Sequence, residues 1–205
     1  MSEDLKRAFA NSDKYQAVYR FPNISGGSRS TLNRCEIIQK HIPRNARILD
    51  VGCAQGYTSL YFADRGANVV GIDAIQKNID FCRLLAKTLK INAIFARQVF
   101  SSATMQFVLT DKINVVFLLS VLHHVITDKG LAWTRSAVTK LLDSGVTLVA
   151  ELAKKGEKVI YGVWQDHVPD NELAVFGDYA SRAVKIGQSA LLDNKVIRPL
   201  YLVRK

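Results

Sequence analysis

The 205-residue sequence contains only three cysteines, Cys35, Cys53 and Cys82, with no CxxC spacing and no histidine pattern beside them. An odd, scattered set excludes a disulfide framework and a cysteine-based zinc site, and the thiols are expected to be reduced. No stretch approaches the roughly 18 consecutive apolar residues of a membrane span. The opening Met1-Ser2-Glu3-Asp4-Leu5-Lys6-Arg7 lacks the apolar core of a secretory signal, so the expectation is a cytoplasmic protein. Internal repeats, low-complexity tracts and linkers are also missing. Acidic residues are in deficit: 28 Lys and Arg face 18 Asp and Glu, for a formal charge of +10. That balance favours an anionic partner such as a phosphorylated glycan, a nucleic acid or a membrane surface. The cations are spread along the chain, however, so no basic nucleic-acid tail is expected.

What is present is an apolar fraction of 48%, enough to bury a core without metal or disulfide support. A single domain over 1–205 is the expectation, with a cap of short helices over 1–42 and the core over 43–205. In the cap, the stretch to about Tyr19 reads as one or two short helices. Phe21 to Ser28 reads as a loop, and a helix follows from Ser30 or Thr31 to His41, closed by Pro43. The core then alternates. Strands are expected at Arg47–Val51, Asn68–Ile72, Ala93–Arg97, Ile113–Leu119 and Val146–Glu151. Helices are expected at Tyr57–Arg65, Lys77–Leu89 and Gly130–Leu142. Such alternation implies βαβ units and a mostly parallel sheet covered on both faces. Ala183–Leu191 and Arg198–Val203 have no long helix between them and are expected to finish the sheet as an antiparallel pair.

The chemistry is carried at the strand ends. Asp50-Val51-Gly52-Cys53-Ala54-Gln55-Gly56 leaves the first strand and enters a helix at once, a sharp turn that needs glycine and small side chains, Cys53 included. The second glycine of a dinucleotide G-x-G-x-x-G is replaced by Ala54, which suits a smaller ligand without a pyrophosphate. Asp50 would repel phosphate but attract an ammonium. Asp73 ends the second strand 17 residues after Gly56, where a carboxylate accepts both ribose hydroxyls through charge-assisted hydrogen bonds. Asp50 and Asp73 together indicate S-adenosylmethionine and an α/β, Rossmann-like class I methyltransferase fold. A helix N-cap at a βα turn is the alternative reading of each aspartate. Many class I enzymes follow the third strand with an acidic residue for the adenine amine. Here the stretch is Arg97-Gln98-Val99-Phe100, so Gln98 or a backbone group at Gln98 and Val99 takes that place.

Leu118-Leu119-Ser120-Val121-Leu122-His123-His124-Val125 occupies the strand end where class I methyltransferases place an acceptor-facing loop. His123 and His124 are candidates to orient a ligand or act as base. The alternative is a helix-start histidine satisfied by the backbone. No HxxE or i,i+4 partner accompanies them, so no metal site is expected.

Several segments together resemble a more specific family. They are Asp50 to Gly56, Gly71-Ile72-Asp73 with Asn78 and Cys82, Leu119 to Val125, Glu151-Leu152-Ala153-Lys154, Tyr161-Gly162 with Gln165, and Arg198-Pro199-Leu200-Tyr201-Leu202-Val203. The pattern is similar to the methyltransferase domain of the bifunctional enzymes that terminate bacterial O-antigen polysaccharides, over about Tyr15 to Val203. In that family a kinase phosphorylates the terminal sugar and the methyltransferase methylates that phosphate. The resemblance includes no kinase portion, so methyl transfer alone is expected, with any kinase supplied separately. It also implies that Tyr15, Gln16 and Arg34 reach the donor carboxylate, and a guanidinium matches a carboxylate bidentately. Ala74, Ile75, Asn78, Leu119 and Ser120 complete the implied donor contacts.

A phosphate oxygen is already anionic near neutral pH, so its methylation needs alignment more than a base. Arg29, Lys154, Lys155 and Arg198 are candidate cations for such an acceptor, and Tyr161 and Trp164 are candidate stacking groups. Ordinary surface charge and core packing are the competing readings. No Asn-Pro-Pro-Tyr-type tetrapeptide occurs, which argues against methylation of base or glutamine amines. The expected acceptor is a glycan or small molecule methylated on oxygen, and an RNA acceptor is the alternative that the charge allows.

Overall fold

The computed structural model describes residues 2–24, 31–157, 164–191 and 196–205. The chain forms two compact units, meeting in sequence between Val99 and Phe100.

In the first unit, α1 (Glu3–Asn11) begins at Ser2, whose hydroxyl accepts from the Leu5 amide at 3.4 Å. Its apolar face, Leu5 and Phe9, is buried, and the Phe9 ring meets Phe81 at 5.3 Å. After α2 (Thr31–Ile38) the unit alternates: β1 (Arg47–Val51), α3 (Tyr57–Ala63), β2 (Asn68–Asp73), α4 (Gln76–Leu89), β3 (Ala93–Arg97). The three strands are parallel in the order β3-β2-β1, with Asp50 opposite Gly71 and Asp73 opposite Arg97. This register brings the carboxyl ends of β1 and β2 level, as a ligand site at strand ends requires. The α2 helix stops short of the expected His41 because its last turn tightens: Lys40 and His41 donate to Ile37 and Ile38 three residues back.

The second unit contains α5 (Ser102–Thr110), β4 (Val115–Leu119), α6 (Leu122–Lys129), α7 (Leu131–Asp143) and β5 (Thr147–Glu151). A 3-10 segment (Glu172–Arg182), broken at Gly177, then leads to β6 (Val184–Leu191) and β7 (Val196–Val203). The β4 strand, an uninterrupted Val-Val-Phe-Leu-Leu, is fully buried and pairs parallel with β5. As expected, β6 and β7 pair antiparallel; β7 also runs antiparallel to β5, with Glu151 opposite Leu200. Sequence reading did not anticipate α5. Ala103, Met105, Phe107 and Leu109 alternate with a strand-like period, yet a reciprocal Ser101–Thr104 capping box starts a helix. Among the described residues no helix is long and apolar enough to cross a membrane.

Candidate cofactor and acceptor sites

The turn after β1 takes three left-handed residues in five, Gly52 (φ 70°), Ala54 (φ 49°) and Gly56 (φ 72°). Such a backbone presents itself closely to whatever lies above it. Gly52 and Cys53 donate to the Ile72 carbonyl at 2.8 and 3.0 Å, which ties the turn to the end of β2. Gly56 has no room for a side chain: a Cβ there would lie 2.8 Å from Cys82 Sγ and 3.2 Å from the Phe95 ring. Asp73 braces the same turn, accepting from the amides of Ala54 and Ile75, both at 2.9 Å. Beside it the chain leaves apolar surface open, with Ile75 41% and Val99 57% exposed and Ala74 also exposed. Gln98, half-buried, donates its amide to the Asp73 carbonyl at 2.9 Å.

Asp50 lies beneath the loop, 2% exposed, and accepts from Ser59 Oγ at 2.6 Å. Burial raises its pKa to about 6, although the Ser59 hydrogen bond and the Arg34 cation pull the other way. Asp50 is therefore a buried charge and a clamp on the first turn of α3, not an exposed ligand for an ammonium. Arg34, also buried, extends from α2 to Thr58 Oγ1 in that same turn, at 3.4 Å.

The other expected donor contacts form a network. The Gln16 amide donates to Gln55 Oε1 (2.7 Å), the Tyr57 amide donates to Gln16 Oε1 (3.0 Å), and Gln55 Nε2 donates to Asn78 Oδ1 (3.0 Å). Asn78 Nδ2 in turn donates to Asp13 Oδ2 at 3.0 Å and Asp73 Oδ1 at 3.3 Å. Gln16, Gln55 and Asn78 thus lash the N-terminal segment to the loop and to α4; Tyr15, half-buried, sits next to this lashing. Asp13 and Ser59, not singled out from sequence, are integral to the cradle. The thiols are unsuited to nucleophilic work. Burial pushes Cys35 up to about 12, and Cys53 is raised by its contact with Cys82 and by burial.

The second unit holds a separate polar cluster. Leu119 ends β4 inside the core, and Ser120 follows in the left-handed region at φ 57°. Its hydroxyl is turned inward, donating to Glu151 Oε2 and accepting from Arg198 Nη1 at 2.9 Å. Ser189 donates to the other Glu151 oxygen. Arg198 grips Glu157 with Nε and Nη2, the latter at 2.7 Å, and the pair's side chains are only 3% and 6% exposed. The Trp164 ring covers the guanidinium at 5.4 Å and packs on His123, whose ring centroid is 4.7 Å away. His123 is buried and His124 exposed, their rings 4.1 Å apart. The protein around His124, and secondarily the Arg198 cation, lowers its pKa.

Three of the expected site residues lie inside the fold. Ser120 faces the core network, Arg198 is a buried structural cation already engaged by Glu157, and Trp164 is a packed side chain with no open face for a sugar. Lys154 and Lys155 are exposed and lie 3.5 Å from Glu172 and 2.7 Å from Asp170. Arg29 and Tyr161 fall outside the described residues. Glu151, Glu157 and Ser189 were missed as site residues. Their only signal in the sequence was that Glu151 and Arg198 each open a segment shared with the O-antigen family.

Residues 48–145 match a family model described as a methyltransferase domain. Over 216 aligned residues, 99% of this chain, it is 31% identical to the O-antigen chain terminator bifunctional methyltransferase/kinase WbdD of Escherichia coli. The chain carries a methyltransferase domain. This methyltransferase superposes on a solved structure of the bifunctional kinase-methyltransferase WbdD with a TM-score of 0.84 and 28% identity, covering 98% of the chain and 46% of that structure. It also matches magnesium protoporphyrin IX methyltransferase from Synechocystis PCC 6803, solved with bound S-adenosylmethionine. There the TM-score is 0.54 and the identity 18%, with 86% of the chain and 77% of that one covered. The methyltransferase has the class I Rossmann-like fold: seven strands, mostly parallel, with helices and an antiparallel C-terminal pair. It spans 29% of the length of the curated WbdD relative. The cradle suits S-adenosylmethionine through a carboxylate at the end of β2, a left-handed turn without side-chain bulk, and exposed aliphatic groups beside them.

Proposed function

We propose that this enzyme methylates an oxygen of a phosphorylated cell-surface glycan or its precursor, in the cytoplasm, with any kinase acting as a separate partner. The observation that carries the reading is the extent of the likeness to WbdD. It runs over 99% of the chain, well past the 48–145 core match, and so takes in the Glu151 and Arg198 segments outside that core. The net charge of +10 agrees with an anionic acceptor.

In this reading Asp73 accepts the ribose hydroxyls, Ile75 and Val99 flank the adenine, and Arg34 faces the donor carboxylate. Asp50 supplies a negative field for the ammonium through the loop. When bound, the donor supplies an electrophilic methyl group on a sulfonium. The chain's own work is to hold the acceptor oxygen in line with it, a task that needs no strong base if that oxygen is a phosphate. His123 and His124 are the residues assigned to the acceptor side, and Lys154 is an exposed cation assigned to the acceptor's charge.

The test is labelled-methyl transfer from S-adenosylmethionine to phosphorylated mannose-type glycans, unphosphorylated sugars and RNA. Labelling of the phosphorylated glycans alone supports the proposal. Preferred labelling of RNA, with binding that collapses steeply as salt rises, overturns it.

Two further outcomes are expected at the donor site. Asp73→Ala removes the acceptor for two backbone amides and for the ribose, so donor affinity measured by calorimetry should fall at least about tenfold. Unchanged affinity takes Asp73 out of the site. Donor affinity should also fall as the pH drops through about 6, where Asp50 takes up its proton. Asp50→Asn should flatten that profile. The stability linkage has the opposite sense: the folded pKa lies above the unfolded value of 3.8, so the ligand-free protein loses this contribution as the pH rises through that interval. A pH-independent affinity would remove Asp50 from donor binding.

A further inference from the structure

The acceptor-side residues of the second unit are joined by a run of tilted ring contacts that the methyl-transfer reading leaves without a role. Arg198, on β7, is locked at both ends, by Glu157 through Nε and Nη2 and by Ser120 Oγ through Nη1. Ser120 is itself fixed to Glu151, and Glu151 to Ser189 on β6. The Trp164 ring lies over this immobile guanidinium at 5.4 Å. It carries the contact outward to His123 at 4.7 Å, and His123 carries it to His124 at 4.1 Å. The chain of contacts begins at a charge sealed in the core and ends at an imidazole open to solvent.

Folding does not require such an arrangement. A buried ion pair adds little stability over an apolar replacement of the same volume, but it fixes orientation, because a guanidinium held by several hydrogen bonds has one allowed position. A ring set on it inherits that restriction, and so does the next ring. An exposed histidine with two freely rotating side-chain torsions would otherwise lose entropy on each encounter with an acceptor. We propose that Arg198, Trp164 and His123 are positioning residues that hold the His124 imidazole in one orientation toward the methyl acceptor.

This inference rests on the assignment of the acceptor to the β4 end, and it deepens that assignment in two ways. It separates the two histidines: His124 is the one that meets the acceptor, whereas His123 is a packed spacer. It also accounts for Trp164, which is buried against a cation instead of offered to a sugar. The charged and titratable groups along the stack are Arg198 with its partner Glu157, and His123 on the same helix. Apart from the protein that packs around the ring, Arg198 is the group that shifts His124 downward.

The experiment follows the His124 ring proton resonances by NMR over a pH titration in the full chain, for the wild type, Trp164→Leu and Trp164→Phe. In the wild type His124 should titrate below an ordinary imidazole. Trp164→Leu opens the stack, so its pKa should rise by about half a unit or more, while Trp164→Phe, which retains a ring, should recover most of the shift. With phosphorylated mannose as the acceptor probe, Trp164→Leu should lower kcat several-fold while calorimetric affinity for S-adenosylmethionine stays unchanged. His124→Gln should lower kcat at least as far. A folded Trp164→Leu variant with His124 resonances and pKa like the wild type's overturns the proposal. If that variant does not fold, a Trp164→Phe variant in which His124 loses its downward shift, although a ring is retained, overturns it equally. The NMR arm needs no acceptor. An absence of methyl transfer to phosphorylated mannose by the wild type would therefore count against the acceptor reading alone, and the titration would still decide the stack.

Discussion

Replacing Arg198 with alanine is expected to cost about 3–5 kcal/mol of folding stability, the usual penalty for leaving one member of a buried ion pair alone. Glu157 would keep its charge in a site where its side chain is only 6% exposed. Ser120 Oγ would lose the donor that reaches it at 2.9 Å, and Trp164 would sit over a cavity. For a chain of this size that corresponds to a drop in thermal midpoint on the order of 10 °C, measurable by differential scanning calorimetry. A change within a degree or two would mean that the pair is solvated in solution. The double variant Arg198→Met with Glu157→Leu should recover much of the loss, because no unpaired charge remains. It should not recover all of it, since Glu157 Oε1 also accepts from the Lys154 amide at 2.7 Å. That asymmetry between the single and double variants separates a charge effect from a simple loss of packing.

Gly56→Ala should cost about 2–5 kcal/mol, from two sources that can be told apart. The first is the left-handed backbone, φ 72°, which charges an L side chain roughly 1–2 kcal/mol. The second is steric: the new methyl would lie 2.8 Å from Cys82 Sγ and 3.2 Å from the Phe95 ring, and overpacking of this kind adds typically 1–3 kcal/mol. Adding Cys82→Ala removes the nearer collision and leaves the backbone term, so the double variant should regain part of the loss in a denaturant titration. Donor affinity should fall in both, because relief of the collision shifts the turn that forms the cradle. Wild-type stability in Gly56→Ala would show that the turn is looser than its hydrogen bonds to the Ile72 carbonyl indicate.

The candidate donor site stands out in the sequence because its parts are local. Asp50 to Gly56 is one continuous turn, and Asp73 follows it after one helix and one strand. A βα turn with small residues, ending level with a carboxylate on the neighbouring strand, announces itself at short range. Helix α5 was hidden for a comparable local reason: its apolar residues alternate like those of a strand, and only the cap at Ser101 starts a helix. The surroundings of Arg198 and Trp164 were not legible because the sequence shows a residue's type and not its partner. A cation near a strand end and an aromatic in a polar stretch are the expected features of an open acceptor site, and equally those of a buried ion pair with a covering ring.

By itself, then, the sequence determined the class I fold and its strand–helix alternation with the antiparallel finish, and it marked the candidate donor loop. Each of these follows from short-range constraints: hydrophobic period, left-handed turns, and a carboxylate at a strand end. Only the tertiary structure decided that Asp50 is sealed beneath its loop, that Gln16, Gln55 and Asn78 tie the N-terminal segment to that loop, and that Arg198 pairs with Glu157 under Trp164. Those outcomes depend on which groups lose their water when distant segments meet. Burial turns a free charge into one that must be paired, and pairing across 41 residues leaves no periodic trace in the chain.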